Sequence, residues 1–92
     1  MLIETGVDLV RFLCPCGQQW SRRYELRHCE APSGEMREYF RLDGAWVLPP
    51  YGPDGAEPCG GCARPVIGRL ESRRLTDPSS PARSADLPPW SA

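Results

Sequence analysis

The chain has 92 residues, five cysteines and a formal net charge of -1 at pH 7. This length allows one small domain, and domains of this size often need a metal ion or disulfides to supplement their core. A nearly neutral, slightly acidic chain is a poor non-specific nucleic-acid binder. The sequence has neither an apolar run near the ~20 residues that cross a bilayer nor the pattern of a secretory signal. We therefore expect a cytoplasmic protein with reduced thiols.

The first part of the chain predicts two β-strands. Residues 7–13 are rich in β-branched and aromatic side chains and lead directly into Cys14. Residues 18–28 alternate, with Trp20, Tyr24 and Leu26 on one face and polar side chains on the other. Arg22 interrupts the apolar face, so we expect the second strand to be half exposed.

Turn-forming residues divide the middle of the chain. Proline and glycine in residues 31–34 predict a turn, and residues 35–42 then predict a third strand. Asp43-Gly44 is a strong hairpin signal, because a type I′ turn needs positive φ at both central positions. Residues 45–48 are the expected partner strand. Residues 63–75 fit a strand or a short helix, and we favour a strand because Val66-Ile67-Gly68 favours extended backbone. We predict a mostly β domain over residues 1–75 and a disordered Pro/Ser/Ala-rich tail over residues 76–92.

Four of the cysteines form two short-spaced pairs within glycine-containing turns. Cys14 and Cys16 lie in CPCG, and Cys59 and Cys62 lie in CGGC. An odd number of cysteines in a chain expected in the cytoplasm favours metal binding over disulfides. Four thiolates suit tetrahedral Zn²⁺. The bland alternative is that these cysteines are small buried hydrophobes, which their grouping in two tight turns disfavours.

The two motifs resemble the knuckles of the zinc-ribbon family, in which strands and a hairpin separate two cysteine pairs. The resemblance implies a small antiparallel sheet with an extended central hairpin, and zinc ligands at Cys14, Cys16, Cys59 and Cys62. The first knuckle is one residue shorter than in the family, which leaves His28 or Cys29 as possible substitutes for Cys16. Iron in a rubredoxin-like site uses similar knuckles, although the sequences CPCG and CGGCA fit that family less well.

The order of the pairs, CxC and then CxxC, is also similar to the zinc centre of redox-switched heat-shock chaperones. In that family oxidation expels the zinc. The resemblance therefore implies a redox-sensing zinc-thiolate switch, although the body of such a chaperone has no counterpart here. A closed four-thiolate zinc site has no open position for a substrate, so we expect a structural metal.

The remaining features favour a binding protein over an enzyme. The chain has one histidine and no recognisable catalytic motif. One face of the predicted sheet could contact nucleic acid through Arg22, Arg23, Arg27, Arg37, Arg41 and Tyr39. The glutamates among these arginines favour an ion-paired, solvated face instead.

The C-terminal sequence suggests a docking element for another protein. Leu87 and Trp90 flank two prolines, which stiffen the segment and reduce the entropic cost of docking. We therefore predict a zinc-stabilised, non-catalytic adaptor that engages a protein partner, with no small-molecule substrate and no membrane. The alternative is a nucleic-acid-binding zinc ribbon.

Overall fold

The computed structural model describes residues 2–75 and 87–90, which form a mostly β structure. One antiparallel sheet has the strand order β4-β3-β2-β1-β7. Its strands are β1 (Leu2–Leu13), β2 (Gln19–Glu30), β3 (Met36–Leu42), β4 (Ala45–Val47) and β7 (Arg69–Leu75). A 3₁₀ turn (Pro53–Gly55) precedes a second, two-stranded sheet of β5 (Glu57–Pro58) and β6 (Pro65–Val66). The expectation of a mostly β fold is confirmed.

The longest unit is the hairpin of β1 and β2, whose strands have 12 residues each. Its register runs from Leu2 opposite Glu30 to Leu13 opposite Gln19. β1 begins at Leu2, before the predicted 7–13, and β2 ends at Glu30, beyond the predicted 18–28. The added residues include Glu4, Gly6 and Glu30, which are residue types that strands disfavour, so the local sequence gave little indication of a strand there. Pairing with the neighbouring strands holds them in the sheet.

The predicted turns are present. The Gly34 N–H donates to the Ala31 carbonyl at 2.9 Å, and Gly34 has a φ of 88°. Asp43 and Gly44 both have positive φ, 50° and 83°, as the type I′ hairpin between β3 and β4 requires. After the second cysteine pair the chain forms β6 and β7, so the preference for strand over helix is confirmed.

One face of the large sheet, here called the core face, carries the hydrophobic core. Alternate positions of β1, β2 and β3 place apolar side chains there, and the segment between β4 and β7 covers them. The Tyr51 ring packs edge-on against Phe40 at 5.7 Å, and the Gly68 N–H donates to the Pro50 carbonyl at 2.8 Å. The buried cluster comprises Val10, Phe12, Cys14, Tyr24, Leu26, Phe40, Cys59 and Val66.

The intervening positions of the strands form the opposite face, here called the outer face. Val7 and Leu13 of β1 are each 40% exposed on this face, whereas Arg27 and Cys29 of β2 are buried there. On the core side of β3, Met36 is 61% exposed because it lies at the start of the strand, away from the covering segment.

The predicted disordered tail falls mainly outside the described residues, which resume at residues 87–90. Pro88 is fully buried in this short segment, and Trp90 is 52% exposed. Within the described residues, no helix is long and apolar enough to span a membrane.

Candidate metal centre

The first cysteine knuckle is the tip of the long β1–β2 hairpin. The Cys14 N–H donates to the Gln18 carbonyl, and the Gly17 N–H donates to the Cys14 carbonyl, both at 2.9 Å. Gly17 has a φ of 100°, a conformation that glycine adopts without a steric penalty. This tight turn brings the sulfurs of Cys14 and Cys16 to the same side of the hairpin.

The second knuckle joins β5 to β6. The Cys59 N–H donates to the Arg64 carbonyl at 2.9 Å, and the Ala63 N–H donates to the Cys59 carbonyl at 2.8 Å. Gly61 lies close to the first knuckle, because a Cβ built there would be 3.1 Å from the Gln18 side-chain nitrogen. The missing side chain therefore lets the two knuckles approach each other.

The four sulfurs of Cys14, Cys16, Cys59 and Cys62 lie within 4.8 Å of one another. The Cys14 Sγ is 3.4 Å from the Cys62 Sγ, and the Cys16 Sγ is 3.6 Å from the Cys59 Sγ. These distances are far above the ~2.05 Å of a disulfide, and all four thiols are free. Tetrahedral Zn–S bonds of about 2.3 Å place sulfurs about 3.8 Å apart. The cluster can therefore hold a metal ion of this size.

The site is half buried and electrostatically uneven. Cys14 and Cys59 are buried, whereas Cys16 and Cys62 are exposed. Hydrogen bonds from the Cys62 and Gly61 N–H groups lower the pKa of Cys59 to about 6. The Cys16 N–H acts in the same direction on Cys14, but burial and the three neighbouring thiols outweigh it and raise the pKa of Cys14 to about 12. Thiolates this close repel one another, and a bound cation would compensate their charge.

The two proposed substitutes for Cys16 lie elsewhere. His28 is nine residues beyond the start of β2, which corresponds to roughly 30 Å of strand. Its Nδ1 is 3.1 Å from a carboxylate oxygen of Glu38 on β3. Cys29 is buried on the outer face, and burial raises the pKa of its thiol. The short CPC spacing therefore brings Cys16 into the cluster, and neither His28 nor Cys29 belongs to it.

A buried ion pair that no local sequence pattern predicted lies on the core face. Asp8 is fully buried and accepts two hydrogen bonds from the Arg73 guanidinium, each at 2.8 Å, and one from the Tyr51 hydroxyl at 2.6 Å. Arg73 also donates to Glu38 at 2.8 Å. Asp8 alternates with Val10 and Phe12, and this spacing is a signal that could have placed it on the inward face. Its partners come from distant parts of the chain, so no local pattern indicated them.

The predicted nucleic-acid residues divide between the two faces. Arg22 lies on the core face, where its Nε donates to Glu57 at 2.8 Å; the Trp20 indole N–H donates to the same carboxylate oxygen at 2.9 Å. The expectation that Arg22 shares a face with the other candidates is wrong, because it alternates with its neighbour Arg23. The others lie on the outer face: Arg23, Arg27, Arg37, Arg41 and Tyr39.

The predicted docking residues differ in exposure. Leu87 is half-buried, and Trp90 is largely exposed next to the buried Pro88. Pro88 therefore anchors this short segment, and Trp90 presents part of its ring to solvent.

The comparisons with known proteins identify no family. The chain matches no protein-family model, no curated protein and no solved structure.

Proposed function

We propose that this protein is a zinc-stabilised, non-catalytic binding module that engages a protein partner. The observation that carries the proposal is the convergence of four cysteine sulfurs from two separate knuckles within 4.8 Å. Four thiolates fill the coordination shell of Zn²⁺ and leave no position for a substrate, so the metal would be structural. The same arrangement is what a zinc-ribbon relationship would require.

Zinc is favoured over iron by the geometry of the ligand set. Thiolates bind both metals, but Zn²⁺ has no geometric preference of its own and tolerates a site built from unequal CxC and CxxC turns. A structural zinc contributes on the order of 10 kcal/mol to small domains, comparable with the total stability of a domain of this size. Removal of the metal should therefore unfold the knuckle end and, with it, the core cluster that contains Cys14 and Cys59.

A pair of cysteine substitutions tests the structural metal. We expect Cys62→Ser to lose stoichiometric zinc and most of its native ellipticity, because the exposed Cys62 is a ligand and contributes little to packing. Cys29→Ser is the matched control, since Cys29 lies outside the cluster, and it should retain the metal. A Cys62→Ser protein that stays folded without metal would contradict the proposal.

Two exposed apolar features support a protein partner. A cleft of about 360 Å³ beside the first knuckle is lined by Leu13, Pro15, Pro65, Val66, Ile67 and Arg69. Ile67 is 47% exposed in this cleft, and Trp90 is 52% exposed beside the buried Pro88. Large exposed apolar side chains held on rigid backbone are typical anchors of protein interfaces.

The partner proposal is tested by capture followed by identification. Ile67→Ser and Trp90→Ala should each weaken co-purification of a defined partner at least about tenfold, as loss of an interface anchor does. Met36→Ala is the control, because Met36 is also exposed but lies at the opposite end of the hairpin. Equal capture of the partner by all three metal-loaded variants would show that neither Ile67 nor Trp90 anchors a partner.

A further inference from the structure

The arginines of the chain are distributed unequally between the two faces of the sheet. The strand register places seven of them on the outer face, namely Arg11, Arg23, Arg27, Arg37, Arg41, Arg69 and Arg74. Glu25 is the one acidic residue that the register places among them. Acidic groups instead concentrate on the core face, at Glu4, Asp8 and Glu38. The outer face is therefore strongly positive although the whole chain has a net charge of -1.

Some of these charges are paired and others are not. Arg41 pairs with Glu25, Arg37 pairs with Glu35 of the preceding turn, and the Arg11 guanidinium is 4.0 Å from Glu71 at the irregularity of β7. Three arginines of the outer face are exposed and their side chains form no hydrogen bond or ion pair with another described residue: Arg23, Arg69 and Arg74. These three guanidinium groups are available to an anionic ligand.

Arg27 adds a buried charge to the same face. It is only 9% exposed, its Nη1 donates to the Leu26 carbonyl at 3.2 Å, and its Nε has no hydrogen-bond partner among the described residues. A buried guanidinium without a carboxylate partner is costly, and a nearby anion reduces this cost. The positive charge of the outer face is therefore not fully compensated by acidic groups, either at its centre or along β7.

Aromatic and apolar side chains accompany the arginines. Tyr39 and Trp46 are half-buried on the outer face, and the Arg41 guanidinium lies 5.2 Å from the centre of the Trp46 ring. Val7 and Leu9 form an apolar strip between Arg23 and the β7 arginines. A shallow cleft of about 330 Å³ is lined by Val7, Arg23, Tyr24, Glu25, Arg41, Asp43 and Gly44.

We propose that the outer face binds single-stranded nucleic acid, with its arginines on the phosphodiester backbone and its aromatic and apolar side chains against unstacked bases. Arg41 on β3 and Arg74 on β7 lie three strand spacings apart, about 14 Å, in one row across the sheet with Glu25 and Val7 between them. Arg23 lies two residues along β2 from this row, about 7 Å, so the three guanidinium groups form a triangle that the backbone of one strand can follow. Arginine forks suit phosphate, and the exposed parts of the half-buried rings suit contact with unpaired bases. A duplex hides those bases, and an acidic peptide has no equivalent use for the rings. The proposal goes beyond the protein-partner role and requires only the metal-held fold.

The test is fluorescence anisotropy of a labelled oligothymidylate of about 16 nucleotides with the metal-loaded protein over a range of salt concentrations. The variant carries Arg23→Gln, Arg69→Gln and Arg74→Gln. Loss of three phosphate contacts should lower the slope of log affinity against log salt by about 2, at about 0.7 per contact for a single strand. We expect Arg22→Gln, on the core face, to retain the wild-type slope. Circular dichroism and metal content establish that each variant is folded.

Several outcomes would overturn the proposal. The first is absence of binding by folded, metal-loaded wild-type protein, and the second is an unchanged salt slope in the triple variant. A tighter complex with the corresponding duplex would exclude the single-strand preference. Equal competition by polyglutamate would assign the face to an acidic protein segment instead. All these measurements use folded, metal-loaded protein. A negative result would therefore not bear on the structural metal, which the Cys62→Ser variant tests separately.

Discussion

At the scale of single residues, Asp8 is the position where burial of a charge needs the most compensation. Its carboxylate is fully buried and survives there because Arg73 and Tyr51 supply three hydrogen bonds to its two oxygens. Those bonds offset the cost of removing a charge from water. The stability of the pair therefore depends on both partners being present.

Removal of one partner of this ion pair should be strongly destabilising. We expect Arg73→Gln to lower the free energy of unfolding by about 3 kcal/mol, because it leaves the buried Asp8 carboxylate without its cation. Arg74→Gln is the control: the next residue is exposed on the outer face and should cost less than about 0.5 kcal/mol. Urea denaturation of the metal-loaded proteins measures both values. Equal stability of the two variants would contradict the assigned role of Arg73.

The buried phenol of Tyr24 should make the folded protein less stable at alkaline pH. Burial, followed by the charge of Glu57, raises the pKa of Tyr24 to about 12. The unfolded chain titrates near pH 10, so it releases this proton first, and the folding free energy should weaken as pH rises from about 10 to about 12. In Tyr24→Phe this part of the pH dependence is absent. Urea midpoints at about pH 9 and about pH 11 provide the measurement, and an equal fall in both proteins would contradict the assignment.

At the scale of secondary-structure elements, local signals predicted most of the strands. The alternation after Gln18, the turn at residues 31–34 and Asp43-Gly44 each act within a few residues, and the structure confirms them. The sequence did not predict the full length of β1 or its pairing with β7, because both depend on contacts between distant parts of the chain. The same limitation applies to Asp8 and Arg73, which meet across that pairing.

The close approach of β7 to the core begins at Gly68. A Cβ built there would lie 2.4 Å from the Val10 Cγ1 and 3.1 Å from the Phe12 ring. We therefore expect Gly68→Ala to cost about 1–3 kcal/mol, as overpacking of a core does. Gly52→Ala is the control, since its Cβ would meet no atom within 4 Å. Thermal unfolding should separate the two variants by several degrees, and coincident transitions would contradict this packing.

At the scale of the whole molecule, two segments that are distant in the sequence meet at the cysteine cluster. The knuckle motifs predicted all four members from the sequence, because each pair is local and only the approach of the two pairs is not. Motif spacing alone left Cys16 open to replacement. The register excludes His28 because it places that residue far along β2, beside Glu38. The distribution of arginines between faces also needed the register, although alternation already separated Arg22 from Arg23.

The central claim is that a zinc ion bound by four sulfurs holds this fold together. X-ray absorption on protein purified without added metal tests it most directly, because the edge identifies the element and the fine structure counts its ligands. We expect a zinc edge with four sulfur neighbours at about 2.3 Å. An iron edge would show that the four sulfurs bind iron instead of zinc. A folded protein without bound metal, or a metal with mainly nitrogen and oxygen neighbours, would contradict the claim.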